Sequence, residues 1–569
     1  MTGAEVITEQ LRAQSIGTVF SLAGASHTYL LDALDRDGFA IISNRHESGA
    51  VGAADGYARA LADQRPMRPG IAMIVSPQGL ANAVPGLAVA QAIGSPVVVL
   101  AAIPPGGFLE PEDIIARAQL DIVRPVCKWV AEVPSAAHLG GSLRSAIEKS
   151  TSGRPGPVVL FIPQDFFRED VGAGEAKPVE IEVPTPDQAA LGKAASLLDT
   201  AERPVAITGL GAFRARAGNA LRELAKRGVP VLGNGTGRGL VMENHTQGWS
   251  WPYAQREVHK ADCILVVGEV LTQRLGFGLP PRFAKDAKFI QIDAWGDAFN
   301  RNRPTDAALQ GDAGATIEAL LAKSSRRWDA GWFASALAAK DGYLDTLGRE
   351  TDGASHPLAL ARVIEEARPP DALLVGDGAD MQNWLYGAYR VNTAGGFMDH
   401  FPLGAMGSGT ALAIGAAAAL RELAGSDSAP RPVILATGDG SIGFYPAELH
   451  AAALAGLNLK VIIGNDAAWG TEAHGQEQAI GRTINTELGE LPYASLGEAF
   501  GLASQTCADV TNLENSLSWL FAQDGPALLD VKIDPAAGAE LKTGSLASSI
   551  LFSDLEEGKS ALAAGKDFK

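Results

Sequence analysis

The chain has 569 residues, too many for one hydrophobic core, and about three domains are expected from that length. With 47 Lys and Arg against 65 Asp and Glu, the formal net charge is −18, which argues against a nucleic-acid partner because a phosphate backbone attracts basic surfaces. Three widely spaced cysteines (Cys127, Cys263, Cys507) with no CxxC pair argue against a disulfide framework or a structural zinc site and predict reduced thiols in a cytoplasmic setting.

The N-terminal segment MTGAEVITEQLRAQSIG reads as an amphipathic helix, not a signal peptide. Apolar runs such as residues 96–103 are strand-length, so no membrane span is expected. Residues 1–170 alternate strand-like and helix-like segments, with strands predicted at 18–22, 40–43, 71–75, 97–101 and 158–162. The second of these leads into Arg45-His46-Glu47-Ser48-Gly49-Ala50 and then a helical run, so Glu47 stands at a strand-to-helix turn. A lone Glu at that place ordinarily stabilises the helix N-terminus. The Pro-, Gly- and Glu-rich stretch 171–188 reads as a linker. A second α/β unit covers 189–325, and its Gly209-Leu210-Gly211 after the strand PVAIT is a weak phosphate signal. Residues 328–355 read as a charged, mostly helical connection, 356–535 as a third α/β unit, and 536–569 as a tail that is either a lid or a frayed end. Three successive α/β units predict three doubly wound parallel sheets, with the first and third units as candidate structural cousins.

The most informative stretch lies in the third unit. An apolar strand at 433–436 runs into Gly438-Asp439-Gly440, a helix is predicted over 446–455, and a second strand at 459–463 ends on Gly464-Asn465-Asp466. Asp439 and Asn465 are thereby placed at the carboxyl ends of two strands of one βαβ unit, where open parallel sheets bind ligands. Both offer hard oxygen donors, and Mg²⁺ is commonly held by one or two such groups together with substrate phosphates. GDG alone would be an ordinary βα turn; the 24 residues between Gly440 and Asn465 and the strand–helix–strand context favour a metal–diphosphate site.

This pattern resembles the cofactor motif of thiamine-diphosphate (ThDP) enzymes, and RHESGAVGAADGYARA resembles the segment that carries their activating glutamate. The resemblance covers roughly residues 5–535, within the group of acetolactate synthases, benzaldehyde lyase and 2-hydroxyacyl-CoA lyases. It implies a pyrimidine-binding (PYR) domain at 1–170, a middle domain at 189–325 and a diphosphate-binding (PP) domain at 356–535. It also implies that Asp439, Asn465 and the Ala467 carbonyl hold Mg²⁺, that Gly438, Gly440 and Ser441 approach the diphosphate, and that Glu47 polarises the aminopyrimidine so that C2 loses its proton. Met406, in Gly404-Ala405-Met406-Gly407, would support the bent cofactor. Gln382, in the loop from Gly378, would touch the diphosphate. Pro77 and Asn82 belong to a first-domain loop resembling SGPG-x-x-N. Arg274 stands where acetolactate synthases have an arginine near the second substrate and flavin. The middle domain of such proteins sometimes holds FAD or the ADP part of CoA. The pyrimidine is gripped by one subunit and the diphosphate by another, which implies a homodimer or a dimer of dimers.

The sequence departs from individual members. Asp466 stands where Asn is commoner, and no two His are adjacent, which lowers a pyruvate-decarboxylase-type reaction. Gly24-Ala25-Ser26-His27 resembles the Gly-Ala-His of benzaldehyde lyase, with Ser26 aligned to the lyase's histidine and His27 one residue later. Ser26 and His27 are therefore expected near the reacting carbon, with Trp469 shaping the pocket. Ile115 stands where synthase-like members carry a Gln, and Gln119 is the nearest Gln. The expected function is a ThDP- and Mg²⁺-dependent carbon–carbon lyase or carboligase acting on 2-oxo acids, 2-hydroxy ketones or aldehydes through a C2 ylide and an enamine. An acyl-CoA lyase or decarboxylase and a non-catalytic ThDP-binding homologue are the alternatives.

Overall fold

The computed structural model describes residues 1–105, 120–172, 176–349, 352–426 and 428–538. Ile115, Gln119 and all but the first three residues of the tail lie outside them.

Among the described residues eighteen strands form three six-stranded sheets. The first contains β1 (Thr18–Ser21), β2 (Ala40–Ser43), β3 (Gly70–Val75), β4 (Val97–Ile103), β5 (Trp129–Glu132) and β6 (Pro157–Pro163), in the order β2-β1-β3-β4-β6-β5. The middle sheet contains β7 (Pro204–Thr208), β8 (Val231–Gly233), β9 (Gly248–Ser250), β10 (Cys263–Val267), β11 (Lys288–Asp293) and β12 (Ala307–Gln310), in the order β12-β11-β10-β7-β8-β9. The last contains β13 (Leu373–Gly376), β14 (Phe397–Asp399), β15 (Val433–Gly438), β16 (Leu459–Asn465), β17 (Ala503–Cys507) and β18 (Ala527–Lys532), in the order β14-β13-β15-β16-β18-β17. Every pairing within the sheets is parallel. The expected α/β class with three doubly wound sheets is what the chain adopts. Numbered within themselves, the first and last sheets share one strand order, so the two units are cousins in topology. The middle sheet has instead the order of a dinucleotide fold.

The strands read as unbroken apolar runs because both faces of each sheet are covered. In β4, Val97, Val99 and Ala101 face one core while Val98, Leu100 and Ala102 face another. In β15, Val433 and Leu435 face the same core as Val97, and Ile434 and Ala436 face away from it. The first and last units thus bury a common core between their sheets. Two small-residue helices fill its centre: Glu47–Ala60 and Ser408–Ala424. They touch backbone to backbone, since a Cβ on Gly56 would lie 2.1 Å from the Leu412 carbonyl oxygen and one on Gly415 would lie 1.8 Å from that of Ala53. This close approach explains the Gly- and Ala-rich composition of both segments and fixes how the Glu47 turn sits against the last unit. Among the described residues no helix is long and apolar enough to cross a membrane.

Candidate active site

The carboxyl ends of neighbouring strands deliver the predicted residues. In the last unit, β15 ends in Gly438 and continues as the short helix Asp439–Ile442. Its neighbour β16 ends in Asn465, and the two strands pair up to Gly438 with Gly464. A cavity of about 60 Å³ at this end is lined by Gly378, Asp380, Met406, Asp439, Asp466 and Trp469, among others. Among the described residues none of the first unit lines it.

Asp439 is 3% exposed. Its Oδ1 accepts the Gly440 amide at 2.9 Å, while Oδ2 is buried without a hydrogen-bond partner among the described residues. Burial, reinforced by the nearby Asp466 carboxylate, pushes its pKa up to about 7. Asp380 behaves alike: burial and Asp466 raise it to about 7, and its Oδ1 also has no partner among the described residues. Burial raises Asp466 as well, although its Oδ1 accepts the Ala468 amide at 3.2 Å. Carboxylates gathered in a buried pocket are stable as anions only with a cation or a shared proton between them. The donor set therefore fits a divalent cation. No cluster of three or more His, Cys, Asp or Glu suited to a metal occurs among the described residues, so such a cation would take a mixed set of carboxylate, amide and phosphate oxygens.

Asn465 is fixed by Asp530, which accepts its Nδ2 at 2.9 Å, and its Oδ1 accepts the Ala467 amide at 3.1 Å. Ala467 has φ of 57°, and its carbonyl accepts the amides of Leu488 at 2.8 Å and Gly489 at 3.2 Å. The expected third oxygen is therefore already engaged, and the carboxylate facing the cavity at this loop is that of Asp466. Trp469 lies across the GDG turn, since a Cβ on Gly440 would stand 2.5 Å from its ring, and it meets Phe444 edge-on at 6.3 Å. Met406 lines the same cavity, as its placement beneath a cofactor requires. Its loop is held by Asp377, whose carboxylate accepts the amides of Gly378 at 2.7 Å, Gly407 at 3.2 Å and Gly409 at 3.1 Å. Ser441 is buried, its Oγ 3.1 Å from where a Cβ on Gly378 would sit. Gly404, with φ of 79°, turns the chain ahead of Met406 without lining the cavity.

Gln382 corrects the sequence reading. Its amide is buried on the Tyr386 hydroxyl, away from the cavity, because Tyr386 joins it to Arg274 and Asp399. Arg274 is buried with Nη2 2.6 Å from the Tyr386 oxygen, Nε 3.1 Å from Asn234 Oδ1, and its guanidinium 3.9 Å over Phe401. It lines a second and larger cavity, of about 340 Å³, between the middle sheet and the units on either side. Leu210, Gly211, Gly268 and Glu269 place this cavity at the ends of β7 and β10, the switch point of the dinucleotide order.

In the first unit, adjacent strands β2, β1 and β3 deliver the other predicted residues. Glu47 is the first residue of its helix and is half-buried. Its Oε2 accepts the Asn82 side-chain amide at 3.0 Å. Gly79 leaves room for it, since a Cβ there would lie 2.8 Å from Glu47 Oε1. Pro77 precedes the helix Gln78–Ile93 that carries Asn82. Gly24 and Ala25 follow β1, and Gly24 lies against Val75, its Cβ position only 2.4 Å from that side chain. The Ser26 hydroxyl is buried without a partner among the described residues. His27 is a second correction: it is 0% exposed, beside Leu100 and with its ring 6.3 Å from Phe167. Phe167 belongs to the core on the far face of the sheet from the Glu47 helix. The short turn Ala25–His27 rolls the imidazole inward, and burial lowers its pKa to about 4. Of the expected pair, only Ser26 remains near the strand end.

Sequence reasoning missed Asp377, Asp530, Tyr493, whose hydroxyl donates to the Asp439 carbonyl at 3.1 Å, and Glu448, described below. An Asp closing an apolar strand before a Gly was the one readable signal, at Asp377. The other partners are far away in sequence.

Three family models match the chain: the N-terminal TPP binding domain of thiamine pyrophosphate enzymes at residues 1–118, their central domain at 191–320 and their C-terminal TPP binding domain at 377–531. A probable acetolactate synthase of Mycobacterium bovis is 30% identical, covering 94% of this chain and 96% of its own. The 2-hydroxyacyl-CoA lyase 1 of Mus musculus is 28% identical over 94% of both chains. An oxalyl-CoA decarboxylase of Escherichia coli K12 is 27% identical over 95% of this chain and 96% of its own. With its three sheets, its GDG–Asn site and relatives of this kind along nearly its whole length, the chain is an enzyme and belongs to the thiamine pyrophosphate enzyme family.

Proposed function

We propose that the protein is a Mg²⁺- and ThDP-dependent carbon–carbon lyase or carboligase acting on 2-oxo acids, 2-hydroxy ketones or aldehydes. The observation that carries this reading is the buried, open Oδ2 of Asp439 beside Asn465, with Glu47 presented separately by a unit of the same topology. The relatives' names, which include synthase, lyase and decarboxylase, agree with that class. When bound, ThDP supplies the carbon nucleophile at C2 and the electron sink for carbanion chemistry. The chain's own residues bind and polarise it. Asp439 and Asn465 would hold the cation on the diphosphate, with Asp466 at the cavity wall. Gly438, Gly440 and Ser441 would lie along the phosphates, and Met406 and Trp469 would exclude water. Glu47 would hold a proton at N1′ of the pyrimidine, with Asn82 keeping its carboxylate oriented. Ser26 would face the substrate.

The assembly proposed is a homodimer or a dimer of dimers, with each site built from one protomer's Asp439 unit and its partner's Glu47 unit. Two features support it: the Asp439 cavity draws on no described residue of its own first unit, and Leu403 and Phe444 stand about half exposed nearby, at 50% and 51%. The domain partition 1–170, 189–325 and 356–535 and a cytoplasmic setting with free thiols belong to the same proposal. Glu47→Gln tests it. Turnover should fall by about 100-fold or more, the range of lost acid–base catalysis, while ThDP still binds. Full activity in that variant would overturn the reading.

A second reading concerns the middle unit, where the 340 Å³ cavity favours a nucleotide such as FAD or the ADP part of CoA. Arg65, Arg154 and Arg214 line it, and burial lowers the pKa of each guanidinium although nearby carboxylates, Asp312 for Arg65 and Asp293 for Arg154 and Arg214, oppose the shift. An acyl-CoA substrate would reach the ThDP site from there. Titration with ADP, CoA and FAD separates these ligands, and the absence of binding at millimolar concentration for all three would remove this reading.

A further inference from the structure

Glu448 opens the helix Glu448–Leu454, shortly after the Asp439 turn, and is 1% exposed. A carboxylate so buried is costly unless hydrogen bonds satisfy it. The bonds that do so all come from the first unit. Oε2 accepts the Asn44 side-chain amide at 2.9 Å, and Oε1 accepts the backbone amides of Arg45 at 3.0 Å and His46 at 2.8 Å. These three residues join β2 to the helix that begins with Glu47. Gly49 makes the contact possible, since a Cβ there would lie 2.0 Å from Glu448 Oε1. Two neighbouring contacts reinforce it: Arg45 Nη2 lies 3.2 Å from His450 Nδ1, and the His46 ring lies 5.4 Å from that of Tyr445. Burial pushes the Glu448 carboxyl above its ordinary pKa, and the bonds from Asn44, Arg45 and His46 oppose that rise. Glu448 does not line the Asp439 cavity, so its contacts act on the glutamate turn and not on the diphosphate.

We infer that Glu448 is a positioning residue for Glu47, clamping Asn44, Arg45 and His46 onto the unit that carries Asp439 and so setting the direction in which the Glu47 carboxylate leaves its helix. The inference rests on the role proposed for Glu47. In the proposed dimer it has a further consequence: the unit that binds one cofactor fixes the glutamate that serves the other.

The test uses the full chain with ThDP and Mg²⁺, in Glu448→Gln and Asn44→Ala. Glutamine would turn one acceptor oxygen into an N–H₂ facing other donors; alanine at 44 removes one of the three bonds. Two quantities are read: the rate at which the C2 proton of bound ThDP exchanges for deuterium, and ThDP affinity from tryptophan fluorescence. In Glu448→Gln, exchange should slow about 10- to 100-fold while the ThDP Kd shifts less than about threefold, because misplacing a proton-transfer group costs rate more than binding. Asn44→Ala should move exchange the same way by less. Exchange at the unaltered rate in folded Glu448→Gln would overturn the inference, as would equal losses of exchange and affinity. If Glu448→Gln does not fold, Asn44→Ala decides by the same criterion. Glu47→Gln separates the two levels of the argument. Normal exchange in that variant would defeat the role of Glu47 itself, whereas exchange lost there and normal in Glu448→Gln would defeat only the clamp.

Discussion

The first and last units have the same strand order and share one core, yet the acids at their carboxyl ends differ in burial and partners. The last unit buries its acids. Asp377, Asp439 and Asp530 are each at most 3% exposed, and burial raises the pKa of all three. The first unit presents the half-buried carboxylate of Glu47, hydrogen-bonded to the exposed Asn82. One sheet design therefore supports two tasks. In the proposed function the cavity-facing acids of the last unit, Asp439 and Asp466, are suited to a cation, which compensates their charge and that of a diphosphate. In the same proposal Glu47 of the first unit is suited to proton work on a neutral ring. The sheet brings residues to a common edge, and the loops decide the chemistry.

If this division holds, variants in the two units should damage different quantities. The largest effect is expected from Asp439→Asn, which removes the charge the cation compensates. Mg²⁺ and ThDP affinity should fall on the order of 100-fold, about 2.7 kcal/mol, in a titration followed by fluorescence or calorimetry. Affinity within a few-fold of the unaltered protein would show that the last unit does not hold the metal. A smaller and different effect is expected from Gly79→Ala. Its Cβ would lie 2.8 Å from Glu47 Oε1 and 2.9 Å from Ile74 Cγ2, so the Glu47 carboxylate must move. We expect kcat to drop about tenfold with ThDP affinity preserved. An affinity loss matching the rate loss would break the division.

The amount legible in the sequence follows the same line. In the last unit the placement of the candidate residues was readable because they are local: one βαβ segment carries Asp439, Asn465 and Trp469 at its strand ends. The place of Glu47 at a helix start was readable because its helix must be made of small residues to pass Gly415 at backbone distance. His27 was misread because spacing places a residue on a turn but not the direction of its ring, which Phe167, far along the chain, determines. Gln382 failed for the same reason, since Tyr386 takes its amide. The Ala467 carbonyl was assigned by analogy of spacing, whereas its engagement with Leu488 and Gly489 depends on a later loop. Glu448 was invisible because its three partners lie in another unit.

The smallest expected effect concerns the uncompensated acids. Asp380 and Asp439 have pKa values near 7 in the folded chain against an ordinary 3.8, and burial is the first cause for both. Between pH 4 and 7 the folded protein without metal thus binds more protons than the unfolded chain. Stability must then fall as pH rises through that window, because its slope follows the protons bound unfolded minus those bound folded. Melting of metal-free protein should show Tm dropping by roughly a few degrees from pH 5 to pH 7.5. Saturating Mg²⁺ and ThDP should flatten or reverse that slope, since the cation favours the ionised carboxylates and displaces their protons. The Asp439→Asn variant should show a shallower slope without metal. Tm rising with pH in the metal-free protein would mean that these carboxylates are compensated within the protein, and the cation argument for the last unit would lose its electrostatic basis.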